Sequence, residues 1–209
     1  DSSHLCFDSF EGTPLEWKEE IQKEKVSTHF RNPIRSLYCI QCPSLSLFLS
    51  KYGALFYKHL SVLGYFFHLY TDCYFFRDLF LHSFQFLDVS LRPTVVKSRA
   101  RFVKVLKNNV LYRVNDFWNQ GGIYQDYTVM NRLLLQREDF CLDFDSLEEY
   151  AKKYFVNPGI CEVDYSKVCS VLQQTREHVL ESLELENLKL NVFSLEDILD
   201  FMDKIVYRF

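Results

Sequence analysis

A chain of 209 residues with 25% charged side chains can bury one sizeable core and has too little charge and too much apolar content for intrinsic disorder. Its net charge of −4 speaks against a dedicated nucleic-acid binder, which would be basic overall. Six Gly and five Pro, set against 20 Phe and 13 Tyr, poorly supply the many turns of a β-sandwich or barrel and favour long helices with few connections. The seven cysteines (6, 39, 42, 73, 141, 161 and 169) are odd in number and irregularly spaced, unlike a secreted disulfide framework, so a reducing compartment is expected. The first residue is Asp1 and no signal or transit peptide is visible, which reads as a processed or trimmed start.

Residues 1–43 read as an N-terminal arm, a short helix and a connection. Leu5, Phe7 and Phe10 are the arm's anchors. Thr13-Pro14-Leu15-Glu16 is a capping box with proline at the first helical position, opening a mostly solvated helix to about Lys25. Asn32-Pro33 and Cys42-Pro43 break helical structure. Cys39-Ile40-Gln41-Cys42 is a CxxC without a second pair of zinc spacing, and without the strand and helix start that a redox motif needs. Two reduced or locally bridged cysteines are the plainer reading.

Residues 44–155 read as an aromatic-rich helical core domain. Between Ser44 and Val89 lie fourteen Phe and Tyr residues and only six charges. Leu45, Leu49, Tyr52, Phe56, Leu60, Leu63 and Phe67 recur at three-and-four spacing, which predicts helix. Thr71 or Asp72 is placed to cap a second helix running through Phe86. Apolar residues all round such helices imply cover on several sides, and Phe66, Phe67, Phe75, Phe76 and Phe80 are candidates to face a partner. The charge-free runs are too short for a single-pass transmembrane helix.

From Val89 to Asn115 there is no acidic residue, and helical spacing gathers Lys97, Arg101, Lys104 and Lys107 opposite Phe102, Val103, Leu106, Val110 and Val114. This pattern predicts a basic amphipathic helix, either solvated against acidic neighbours or in contact with anionic lipid or phosphate. Asn119-Gln120-Gly121-Gly122 ends it without phosphate-loop spacing. Further helices are expected over Tyr124–Gln136 and, capped by Asp145-Ser146-Leu147-Glu148, to about Phe155. Asn157-Pro158-Gly159 is turn chemistry and a boundary. Residues 164–209 read as a C-terminal helical pair: Asp164 to about Asn187 with a narrow apolar stripe, then a helix capped by Ser194.

The fold expectation is therefore all-α, an irregular multi-helix bundle. His68 and Asp72 share one helix face and could be a base with its orienting acid or two metal ligands, but the sequence names no further convergent group. A polar pair satisfying itself in an aromatic core is the plainer reading. No nucleophile elbow and no His-Glu-x-x-His motif occurs. No cofactor and no catalytic residue is assigned. The function that best fits the sequence is a non-catalytic subunit of a large membrane-associated assembly of the mitochondrion, such as an ATP synthase or respiratory complex, with other protein subunits as partners. The alternatives are a cytoplasmic helical adaptor and a metal- or redox-dependent enzyme using Cys39 and Cys42.

Overall fold

The computed structural model describes residues 26–31, 37–118, 122–137, 142–154, 156–184 and 189–209. The expected arm, the helix from Thr13 and the Asn32-Pro33 break lie outside the described residues. The described residues are mostly helical, 60% helix and 8% strand, and a small antiparallel sheet corrects the all-α expectation.

Helix α1 (Leu45–Tyr52) starts where Ser44 Oγ accepts from the amide of Leu47 at 3.4 Å. Helix α2 (Leu60–Tyr74) does not stop at Thr71 or Asp72: it continues as a π-helical segment, Phe75–Phe80, and a last α-turn, Leu81–Ser83. The wider π turn changes the phase of the helix, so that both Phe75 and Phe76 meet Phe80, with ring centroids 4.8 Å and 4.9 Å apart. At Phe84 the backbone becomes extended, and Phe84–Leu87 is strand β1 rather than the helical continuation through Phe86.

The expected basic helix over 92–114 is likewise a correction. The segment forms a loop, strand β2 (Phe102–Val105), a turn and strand β3 (Leu111–Arg113), in the order β1-β2-β3. Phe84 pairs with Val105, and Val103 pairs with Phe86 on one side and Tyr112 on the other. Two local features defeat the helix. Val103 and Val105 alternate into the core as β-branched residues at period two. Asn109 takes a left-handed φ of 59°, and Asn108 Oδ1 accepts from the amide of Val110 at 3.0 Å, which closes the hairpin.

After β3 come α3 (Val114–Phe117), α4 (Ile123–Leu135), α5 (Phe144–Tyr154), a 3-10 turn (Tyr165–Lys167), α6 (Val168–Glu184) and α7 (Leu195–Arg208). The cap of α5 is Asp143, whose Oδ1 accepts from the amide of Ser146 at 3.1 Å, two residues before the expected Asp145. Ser194 caps α7 as expected, and Asp164, expected as the start of a helix, caps the 3-10 turn that leads into α6. Helix α6 packs on α4 and α5, and α7 packs on the π-helical segment.

Two buried clusters lie along the α2–π helix. One joins Phe30, Phe48, Tyr52, Val62, Leu69 and Ile160. The larger joins Leu79 and Phe80 to the inner face of the sheet, Phe117, Ile123, Phe193 and Ile198. The stretch before α7 is threaded between two charges. Asp126 on α4 is fully buried, and its carboxylate accepts from the amides of Asn191, Val192 and Phe193 at 2.7, 2.8 and 2.8 Å. From the other side, Lys107 Nζ donates to the carbonyls of Leu190 and Phe193 at 2.9 and 2.5 Å. That places Phe193 against Phe80 and Phe75, each at 5.7 Å. Asp126→Ala strands three amides, each a loss of about 1–3 kcal/mol where water cannot reach. The expected result is a fall in unfolding free energy of about 3 kcal/mol or more, measured by urea denaturation, and a smaller fall for Asp126→Asn.

Candidate functional site

The 26–31 segment supplies what His68 and Asp72 lacked. Phe30 adopts a left-handed φ of 51°, unusual for a bulky residue, and buries its ring against Phe48 at 5.2 Å and Tyr52 at 6.1 Å. With Phe30 anchored on α1, its neighbour His29 projects to α2. His29 Nε2 lies 3.4 Å from Asp72 Oδ2, and His68 Nε2 lies 3.9 Å from the same oxygen. The two imidazoles meet edge-on, with centroids 5.4 Å apart. One ligand atom from each of the three side chains lies within 4.8 Å of the others.

The surroundings restrain this cluster. His29 Nδ1 is 2.9 Å from Thr28 Oγ1, and the hydroxyl of Tyr65 donates to the Thr28 carbonyl. Tyr65 stacks on His68 with ring planes 21° apart. Burial lowers the pKa of His68, and the charge of Asp72 opposes that shift. Burial also lowers Arg31, which is supported in turn by Asp72.

His68 and Thr28 form part of the wall of a cavity of about 690 Å³ between the start of α2, the end of α5, the 156–165 segment and α6. Its rim is mixed: Leu60 and Val156 are 74% and 75% exposed and Tyr150 and Tyr154 are also exposed, while Lys58, His59, Asp164 and Lys167 are exposed polar members of the same lining. Its far wall is pinned to α1 through Glu162. Tyr52 Oη donates to Glu162 Oε2 at 2.5 Å, Lys51 donates to Oε1, and the amide of Cys161 donates to Tyr52 Oη at 3.1 Å. Burial pushes the Glu162 carboxyl up, yet these two donors outweigh it and hold the group below its ordinary 4.5. A folded-state value below the unfolded one means that the stabilisation is complete above pH 4.5 and is lost as pH falls through the lower folded value. Glu162→Gln is therefore expected to unfold at lower urea than the parent at neutral pH, with the gap closing in acid.

The cysteines divide differently from their spacing. Cys39 packs against the larger core cluster, and burial raises its thiol, opposite to the lowered first thiol of a redox CxxC. Cys42 instead hydrogen-bonds Cys73, the residue after Asp72, and lowers that thiol to about 7. Alkylation of Cys73, followed by peptide mass spectrometry, is expected to reach half its maximal rate near pH 7. Cys42→Ala is expected to move that midpoint towards 9.0, the ordinary thiol value.

The residues singled out from sequence disperse. Lys97 and Arg101 lie in the loop before β2, Lys104 lies in β2, and Lys107 lies in the hairpin turn, so the four share no helix face. Arg101 donates to the carbonyls of Ser98 and Ala100, both at 2.9 Å. Phe80 is fully buried in this protein's own core, and half-buried Phe75 and Phe76 pack on the same cluster. Half-buried Phe66 and Phe67 meet Phe209 at 6.1 and 4.7 Å. His29 was missed because nothing local marks it; its left-handed neighbour Phe30 has no sequence signature.

No protein-family model, no curated protein and no solved structure matches the chain.

Proposed function

We propose that this protein is a non-catalytic subunit that docks onto other subunits of a larger assembly through the groove beside α2. One observation carries the reading: Leu60, Tyr150, Tyr154 and Val156 stand exposed together around a cavity that also carries Lys58, His59, Asp164 and Lys167. Single exposed hydrophobics are normal on a soluble surface, but a shared rim of four over a cavity is the character of a contact site. The narrower assignment, to a membrane-associated mitochondrial assembly such as an ATP synthase or respiratory complex, draws its support from the aromatic excess of the sequence alone. Among the described residues, no helix is long and apolar enough to cross a membrane, so attachment by protein contacts is the form the proposal takes. Lipid contact through a basic helix is not part of it, because Lys107 is engaged by backbone carbonyls and the other three basic residues lie in loop and strand.

Blue-native electrophoresis of gently solubilised source membranes, with the chain detected by antibody, tests this. The chain is expected in a band far above its own 25.0 kDa. A Leu60→Glu, Tyr154→Glu double variant is expected to leave that band while its circular dichroism is unchanged. A band at monomer mass would overturn the reading in favour of a free-standing adaptor, and retention of the double variant in the assembly would move the contact away from this groove.

A further inference from the structure

The three side chains of the His29–His68–Asp72 cluster come from two segments, and their spacing is informative. Charge-assisted hydrogen bonds run to about 2.7–2.9 Å. The separations of 3.4 Å and 3.9 Å from Asp72 Oδ2 to the two Nε2 atoms are longer than that. They approach the edge of a tetrahedron around an ion bonded at about 2.0–2.2 Å, an edge of roughly 3.4 Å. We propose that His29, His68 and Asp72 form a mononuclear site for a late first-row divalent transition-metal ion such as Zn²⁺, with its remaining coordination position towards the cavity that His68 lines.

The chemistry of the donor set fits. Two imidazoles and one carboxylate are the ligand types of sites that keep a position open, whereas closed structural zinc sites are built from four ligands, often thiolates. Thr28 Oγ1 lies 2.9 Å from the far nitrogen of His29, Nδ1, which leaves Nε2 facing inward, as in histidines that ligate a metal while the other ring nitrogen is hydrogen-bonded. Exposure of the side chains rises from 5% at His29 through 21% at Asp72 to 35% at His68, so the site has a buried floor and an entry from the cavity side. Arg31 also senses the charge of Asp72, and its positive charge nearby opposes the binding of a cation there. Bound metal ties the 26–31 segment to α2 and leaves a coordination position for water or for an anionic or nitrogen donor entering the cavity. The inference rests on this geometry and not on the docking proposal.

The test uses the whole chain, stripped with chelator and titrated with Zn²⁺ and, separately, Co²⁺. One Zn²⁺ per chain by isothermal titration is expected, with a Co²⁺ visible spectrum of four- or five-coordinate nitrogen and oxygen ligation. Losing a ligand should weaken binding by at least about a hundredfold in His68→Ala and Asp72→Asn, since even outer-shell changes cost 10–100-fold. His178→Ala, at an exposed histidine outside the cluster, should bind as the parent does. Absence of saturable one-to-one binding in the parent would overturn the site, as would equal affinity in the cluster variants, which marks adventitious binding elsewhere. The Co²⁺ spectrum of the parent decides the matter even if a variant fails to fold.

Discussion

The rest of the structure follows from the need to cover one helix. From Leu60 to Ser83, α2 and its π-helical continuation carry aromatic side chains on nearly every face, and water is a poor neighbour for all of them. The first half is covered by α1, the 26–31 segment and Ile160. The second half is covered by the sheet, α3, α4 and the residues leading into α7. The π segment makes the second half possible, because it brings Phe75, Phe76 and Phe80 to the same core. Asp126 and Lys107 then hold the backbone of 190–193 in place, so that Phe193 and Ile198 can complete the cover. Each of these charges is met by backbone groups, which is how the buried carboxylate of Asp126 is tolerated.

The candidate sites are consequences of the same cover being incomplete. The 26–31 segment reaches α2 only where Phe30 can anchor, and that contact brings His29 to His68 and Asp72. Beside it, the turn of 156–165 is held to α1 by Ile160 in the core and by Glu162 at Tyr52 and Lys51, and the cavity between α2, α5 and α6 stays open with Leu60, Tyr150, Tyr154 and Val156 in water. A docking partner and a metal ion would use neighbouring parts of one wall, with His68 belonging to both.

Much of the helical framework was legible. Three-and-four spacing marks 45–67 as helical, but as one helix, whereas the chain breaks between Tyr52 and Leu60 into α1 and α2. Asp164 reads as a helix start and Ser194 as the cap of the last helix. The basic segment misled because Phe102, Val103, Leu106, Val110 and Val114 fit a helical stripe, whereas the residues that enter the core are Val103 and Val105. The deciding features were the Asn108-Asn109 turn and the β-branched Val103 and Val105, which a charge-led reading undervalued. The π phase shift was not legible, since nothing in Phe-Phe-Arg-Asp-Leu-Phe distinguishes a π turn from an α turn. Two of the three candidate metal ligands were visible as His68 and Asp72 on one helix face. The third, His29, depends on a left-handed Phe30 and a long-range contact, neither of which leaves a local pattern.

The central functional claim is that the groove beside α2 is an interface, and a cryo-electron microscopy map of the native assembly tests it most directly. The account predicts density from another subunit seated on Leu60, Tyr150, Tyr154 and Val156, with these side chains removed from solvent. A map in which the groove faces solvent while the chain is held by a different surface would contradict it.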